Sequence, residues 1–275
     1  MSVRISVSSP KKSAFHAFVF FLLLLIIIIG VISYKNKRLN PKSNFSLDNL
    51  LLGVPSLADV IVEREGYALG YSEEHEQSLW VIYRLTKEEV IANNVARSND
   101  YRFDPEISSG SALPEDYLNS GYDKGHLAPA ADMKWSQKAM SDSFYMSNIS
   151  PQNHDFNNGI WLSLEEWVRR VAIKEEDIYV VTGPIFSSDN KETIGSRNIT
   201  VPTEFYKVVF DMTPPRKMIG FVIPNKPTEN NLIAFVIPVS KIEEKTGLVF
   251  FDKLNEDEVK GLKMKIEINQ WIDFK

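Results

Sequence analysis

Asp123, Lys124, Gly125 and His126 place a carboxylate, a cation and an imidazole within four residues, with a glycine that permits a backbone geometry a side chain would obstruct. This combination suits a phosphodiester. An imidazole of near-neutral pKa takes a proton from water, and an ammonium sits beside phosphate oxygens. A single histidine is more often a structural hydrogen-bonding group than a catalyst, so its neighbours carry the chemistry. Lys124 alone reads as an exposed charge, and Asp123 as a turn residue or as the partner that orients His126.

A second group follows in FNNGIWLSLEEWVRR (156–170). Ile160, Leu164, Trp167, Val168 and Val171 recur at helical spacing, which predicts an amphipathic helix over Ile160–Ile173 packed on a sheet, with Asp155 as its cap. At about 100° per residue, Asn157 and Glu165 lie about 80° apart around the axis, with Arg169 one turn further on. One broad face then presents an amide oxygen, a carboxylate and a guanidinium. Amide and carboxylate oxygens are hard ligands suited to Mg²⁺, which keeps most of its waters and needs few protein groups; Mn²⁺ or another divalent cation would also fit. The structural alternative is that Asn157 caps the helix, Glu165 and Arg169 form a surface pair, and Trp161 and Trp167 are core.

The elements that must position these groups are mostly strands. SLWVIYRL, DIYVVTGPIF, EFYKVVFDM, KMIGFVIP and LIAFVIPVS are apolar, β-branched and bounded by Pro, Gly or Asn, and a further short strand precedes Gly66–Glu76. Helices are expected at Ser136–Ser143 and Asn255–Trp271 as well. Strands clustered with few intervening helices predict an α+β fold with a mainly antiparallel sheet. GxGxxG, GxxxxGK[ST] and GxSxG are absent, so the usual nucleotide-binding folds and serine hydrolases lack support. His75 reads as a solvated loop residue, and His154 as a polar-loop residue with a supporting role near the site as the alternative.

YDKGHLAPAADM together with FYMSNISPQNHDFNNGIWLSLEEWVRR resembles the DNA/RNA non-specific endonuclease family, the ββα-metal nucleases related to bacterial secreted nucleases and mitochondrial endonuclease G. The resemblance runs from about Ser56 to the C-terminus. It implies a central antiparallel sheet flanked by helices and a metal-dependent nuclease acting on DNA, RNA or both. His126 is then the general base, Asn157 the magnesium-binding asparagine, and Glu165 the helix glutamate near the metal's water shell. Arg169 matches an arginine that contacts or stabilises the phosphate, and Asn148 a recurrent supporting asparagine. An arginine upstream of the histidine motif is matched by both Arg97 and Arg102. VPTEFYKVVFDM, with Lys207 inside it, resembles a family strand. The family's DRGH is DKGH here, and lysine offers a point charge where arginine offers a planar fork. A membrane-tethered nucleic-acid-binding or scaffolding protein that kept the fold and lost turnover is the alternative.

Composition narrows the setting. The chain has 275 residues, 44% of them apolar, enough for a sizeable core, and no cysteine, which excludes disulfides, thiolate zinc sites and a cysteine nucleophile. Residues 1–45 carry seven basic and no acidic residues, leaving 24 basic against 36 acidic ones in the remainder, a net of −12. A general polyanion-binding coat is thereby excluded, and nucleic acid would have to be met by a local basic cleft or a metal ion. Ala17–Tyr34 is uncharged and, as a helix, would reach about 27 Å. No small-x-small cleavage pattern follows it, which favours an uncleaved single-pass anchor over a secretion signal. The expected organisation is a cytoplasmic stub and anchor at 1–34, a linker at 35–55 and a nuclease domain at 56–275. Flanking charges are nearly balanced, and the position of the apolar segment favours an extracytoplasmic domain.

Overall fold

Runs of β-branched and aromatic residues dominate the chain from Val60 to Pro224. In the computed structural model, which describes residues 49–187, 189 and 192–274, they form most of the scaffold. Three strands open it: β1 (Val60–Glu63), β2 (Ala68–Ser72) and β3 (Gln77–Thr86), followed by the short helix α1 (Lys87–Ile91). Next come β4 (Asp123–His126), α2 (Gln137–Asp142), β5 (Ile149–Gln152), α3 (Leu162–Glu175) and β6 (Asp177–Ile185). The chain continues through β7 (Thr193–Ile194), β8 (Ile199–Thr200), β9 (Glu204–Asp211), β10 (Lys217–Pro224), β11 (Val236–Ile237), α4 (Val239–Thr246) and α5 (Glu256–Met264).

Seven strands make one sheet in the order β1-β2-β3-β6-β9-β10-β11, with every neighbouring pair antiparallel. The two faces of β9 show how it is buried. Phe205 and Val209 point to one core with Leu164, Trp167 and Val171 of α3. Tyr206, Val208 and Phe210 point to a second core with Val239, Ile242, Phe250 and Val259, beneath α4 and α5. Both faces are covered, which is why these strands read as continuous apolar runs rather than as alternation. β4 and β5 pair separately, outside the large sheet.

The expected α+β fold and antiparallel sheet are present, with three local differences. Gly66–Glu76, read as a connection, contains β2, because the run ALGYS is wholly buried. LIAFVIPVS, read as one strand, is a 3₁₀ turn, the two-residue β11 and the start of α4; Pro238 has no N–H for the ladder and instead opens the helix. The helix expected to reach Trp271 stops at Met264, since Val259 lies on the α4/α5 face whereas Trp271 docks on the α3 face, with its ring 5.8 Å from that of Trp167. The chain must leave the helix to change faces. Leu52, in the segment read as a linker, is buried in the second core, and the Asn49 side chain accepts from the Arg84 N–H at 3.1 Å.

Candidate functional site

The site grows from a ββα unit: β4, β5 and the helical segment that leads into α3. β4 and β5 run antiparallel, with Asp123 opposite Gln152 and His126 opposite Ile149. The buried Gln152 side chain packs over Gly125, where an added Cβ would come within 2.1 Å of its Cδ, so any larger residue would displace that glutamine. Beyond β5, the Asn153 side chain caps the turn His154–Phe156 by accepting from the N–H groups of Asp155 and Phe156. Asp155, the expected cap, is inside that turn. Asn157–Trp161 then forms a π turn with Gly159 at φ −107°, ψ −107°, before α3 begins. The wider turn breaks regular 100° spacing, so the angle calculated from a continuous α-helix does not apply to Asn157 and Glu165.

Arg97, Lys124, His126, Asn157 and Glu165 line one cleft of about 520 Å³, together with Tyr101, Tyr122, Asp123, Asn158 and Leu162. Residues far apart in the chain are thus brought together. His126 is 8% exposed, wedged between the edge-on ring of Phe144 at 4.9 Å and that of Tyr101 at 5.7 Å. Its Nε2 is buried without a hydrogen-bond partner among the described residues, and the residue lines the cleft. Burial, and then the positive charge of Arg97, push its pKa down to about 3, well below the near-neutral value expected from sequence.

The sign of the stability effect follows. Between the usual histidine value of 6.5 and about 3, the unfolded chain binds a proton that the folded chain refuses. His126 therefore makes stability fall as pH drops through that window, by at most about 1.4 kcal/mol per pH unit. Urea unfolding at pH 7 and pH 5 should show this loss, and His126→Phe should flatten it by the same amount. Equal slopes for the two proteins would contradict a neutral buried imidazole.

Asp123 does not orient His126. Its carboxylate accepts from Asn157 Nδ2 at 2.9 Å, from Asn158 Nδ2 at 3.1 Å and from His154 Nδ1 at 3.1 Å. A carboxylate can only accept, so the Asn157 amide nitrogen is fixed toward Asp123 and its oxygen is left without a donor among the described residues. His154, read as a loop residue, belongs to this network. His75 is likewise not freely solvated: it stacks on Phe186 at 3.8 Å and meets Thr200 Oγ1 at 3.2 Å.

The two candidate arginines separate clearly. Arg97 lines the cleft and lies over the Phe144 ring at 5.0 Å. Arg102 is taken up elsewhere by Asp100 and Ser141 and stacks on Tyr145 at 3.8 Å. Lys124 has its Nζ 5.3 Å from the Tyr101 ring centre and forms no ion pair among the described residues. Asn148 is fully buried and braces the backbone just after His126: its oxygen accepts from Ala128 N–H, while its nitrogen donates to the carbonyls of Ala128 and Ser143.

Arg169 departs from expectation. It does not line the cleft but pairs at 3.0 Å with Asp132, which is 1% exposed and also accepts from the Tyr83 hydroxyl. A buried carboxylate demands such a partner, and this holds the guanidinium beneath the site rather than in it. Glu165 reaches the cleft wall from the same helix, half-buried, and burial raises its pKa against the opposing pull of Lys207. It is therefore neither half of a surface pair nor a free surface carboxylate. Asp132 and Lys207 are buried charged neighbours of Glu165 to which the sequence assigns no role. Their signal was a charged residue inside an otherwise apolar run: one in PAADM, the other in FYKVVF.

The arrangement fits a hard divalent ion. Among the described residues no group of three or more His, Cys, Asp or Glu side chains is placed to hold a metal. The undonated amide oxygen of Asn157, oriented by Asp123 at an open cleft, suits an ion that retains most of its waters.

The family profile of DNA/RNA non-specific endonucleases matches residues 48–257. Human mitochondrial endonuclease G is 36% identical over 212 residues, covering 72% of this chain and 71% of that protein. Mouse mitochondrial nuclease EXOG is 35% identical over 206 residues, 69% of this chain, which in turn spans only 56% of that relative. The mitochondrial nuclease of Saccharomyces cerevisiae is 34% identical over 238 residues, 76% of this chain and 71% of that protein. A chain of a solved EndoG/EndoGI complex superposes with a TM-score of 0.70 at 33% identity, covering 77% of this chain and 93% of that one. These findings correct the expected placement as an extracytoplasmic or secreted domain on a membrane anchor. The relatives named here are mitochondrial, and among the described residues no helix is long and apolar enough to cross a membrane, segment 17–34 itself lying outside them. By the span of the profile match and by these identities, the chain belongs to the DNA/RNA non-specific endonuclease family.

Proposed function

We propose that this chain is a divalent-metal-dependent endonuclease that hydrolyses phosphodiester bonds of DNA and RNA with little regard to base sequence. The observation that carries this assignment is the meeting of His126, Lys124, Arg97 and Asn157 around a single open cleft. His126, held neutral by burial, accepts a proton from the attacking water. Approach of an anionic phosphate favours the protonated imidazole, so substrate itself raises the basicity that burial lowers.

Lys124 and Arg97 offset charge on the phosphate oxygens from the cleft wall. The lysine acts there as a point charge, with its ammonium 5.3 Å from the centre of the Tyr101 ring. Asp123 holds the Asn157 amide in the orientation that leaves its oxygen as a ligand for Mg²⁺ or Mn²⁺. When bound, the ion supplies charge neutralisation at the scissile phosphate. Glu165, whose pKa burial pushes up to about 7, would offer carboxyl oxygens to the ion's hydration shell and add negative charge above that pH, and Arg169, paired with Asp132, braces the helix that presents it.

These groups address backbone phosphate, which carries no sequence information. The acidic remainder of the chain, at net −12, makes affinity modest and sensitive to salt. Plasmid DNA and RNA incubated with the full chain and Mg²⁺ should both be degraded to heterogeneous products, and EDTA should abolish the reaction. Cleavage that persists in EDTA, or that is confined to one sequence, would contradict the proposal.

A further inference from the structure

β4 and β5 share no ladder with the seven-stranded sheet, and a two-stranded pair is marginal by itself, so side chains must fix the ββα unit on the scaffold. One of them is Asn225, the residue that follows β10. Its backbone N–H donates to the Thr203 carbonyl at 2.9 Å, one step beyond the last β9–β10 pair, Glu204 and Pro224. Anchored there, its side chain reaches across to β5. Oδ1 accepts from the Asn153 N–H at 2.8 Å, and Nδ2 donates to the Pro151 carbonyl at 3.1 Å and to the Pro202 carbonyl at 3.0 Å. Pro151 lies in β5 and Pro202 in the approach to β9. One carboxamide, using its oxygen and both hydrogens, thus ties the end of β5 to the end of the large sheet.

The consequence reaches the site through Asn153. This residue gives its side-chain oxygen to the N–H groups of Asp155 and Phe156, and its carbonyl to the Asn157 N–H at 2.9 Å. The Asn157 backbone is therefore connected to Asn225 through Asn153, and from that backbone the Asn157 amide extends to Asp123. Packing of Phe156 and Trp161 on Phe205 secures the helix side of the corner, and the Ser150 hydroxyl on Gln77 secures the strand side. Between these fixtures the corner rests on Asn225, which does not itself line the cleft. The residue type is specific to the task. Aspartate would set a carboxylate against two carbonyl oxygens, and alanine would leave all three partners without the contact.

We propose that Asn225 is a positioning residue for the metal: from outside the cleft it fixes the corner between β5 and the site helix, and with it the place of the Asn157 amide oxygen. This rests on the nuclease assignment above and on Asn157 as its metal ligand. A hard ion that keeps most of its waters has few protein oxygens to hold it, so displacing this one weakens binding of the ion before it slows the chemistry.

The test is Mn²⁺ binding to the full chain, followed by loss of the free-ion electron paramagnetic resonance signal, with magnesium titrations of the initial rate beside it. Asn225→Ala should raise both the Mn²⁺ dissociation constant and the half-saturating Mg²⁺ concentration about tenfold, with the rate at saturating Mg²⁺ within about twofold of the parent's. Asn225→Asp should shift both in the same direction. In the Asn157→Ala background neither variant should move the half-saturating concentration further. Metal affinity equal to the parent's in the folded variants, or the same shift with and without Asn157, overturns the inference and leaves the nuclease assignment standing. Failure of both variants to fold overturns it too, by assigning the residue to architecture. An Asn157→Ala chain that binds Mn²⁺ as the parent does removes the ligand assignment first, and this role with it.

Discussion

His126→Ala should lower the rate of phosphodiester hydrolysis by about 10²–10⁴-fold at saturating Mg²⁺, the usual contribution of a positioned general base. The variant should remain folded. The ring's neighbours Phe144 and Tyr101 belong to a small cluster apart from the two large cores, and the change also removes a buried nitrogen that has no partner among the described residues. Initial rates on plasmid DNA, compared with far-ultraviolet circular dichroism and melting temperature, separate a lost base from a lost fold. Substrate and metal affinity should change little, because the imidazole accepts a proton rather than holding either one. Undiminished cleavage would remove His126 from the mechanism.

Asn157→Ala should act on both rate and metal requirement. Disturbing the groups that merely orient metal ligands commonly costs about 10–100-fold, so deleting the ligand itself should cost about 100-fold in rate at fixed Mg²⁺ and raise the half-saturating concentration at least tenfold. Raising Mg²⁺ should restore part of the rate, an effect with no counterpart in His126→Ala. The structural reason lies in Asp123, whose carboxylate holds the amide nitrogen and leaves only the oxygen for a cation. Truncation removes that oxygen and leaves Asp123 with Asn158 and His154 alone. A magnesium titration of initial rates that superposes on the parent's would show that Asn157 is not a ligand.

The antiparallel sheet and the long site helix were legible because burial writes itself into side-chain type. Runs such as IYVVTGPI and EFYKVVFD can satisfy an apolar environment only as buried strands, and they became β6 and β9. The two site segments were legible as chemistry, since DKGH and FNNGIW carry unlike polar groups where packing alone demands none. Their local geometry was less accessible. The π turn at Asn157–Trp161 depends on Gly159 and on Phe156 and Trp161 packing against Phe205, a contact made across almost fifty residues of chain. Sequence spacing therefore placed Asn157 on an α-helical grid that it does not follow.

Partnerships were the least legible feature. Asp123 lies three residues from His126 yet serves Asn157 and His154, because the strand-to-helix connection folds those side chains back over it. Arg169 matched the family pattern by position, but Asp132, brought in by a different turn, draws it beneath the cleft. Arg97 and Arg102 were indistinguishable as a motif and became distinguishable only through Asp100 and Ser141, which occupy the second of them. Residue types announced the chemistry, while tertiary contacts decided which copy of each type performs it.

Anomalous scattering from crystals of the protein grown with Mn²⁺, as a stand-in for Mg²⁺, locates the ion directly. A peak is expected in the cleft at coordinating distance from the Asn157 side-chain oxygen, with its remaining ligands supplied mainly by water and with the His126 ring on the opposite side. A peak at another location, or one in the cleft that leaves Asn157 uncoordinated, would contradict Asn157 as the metal ligand.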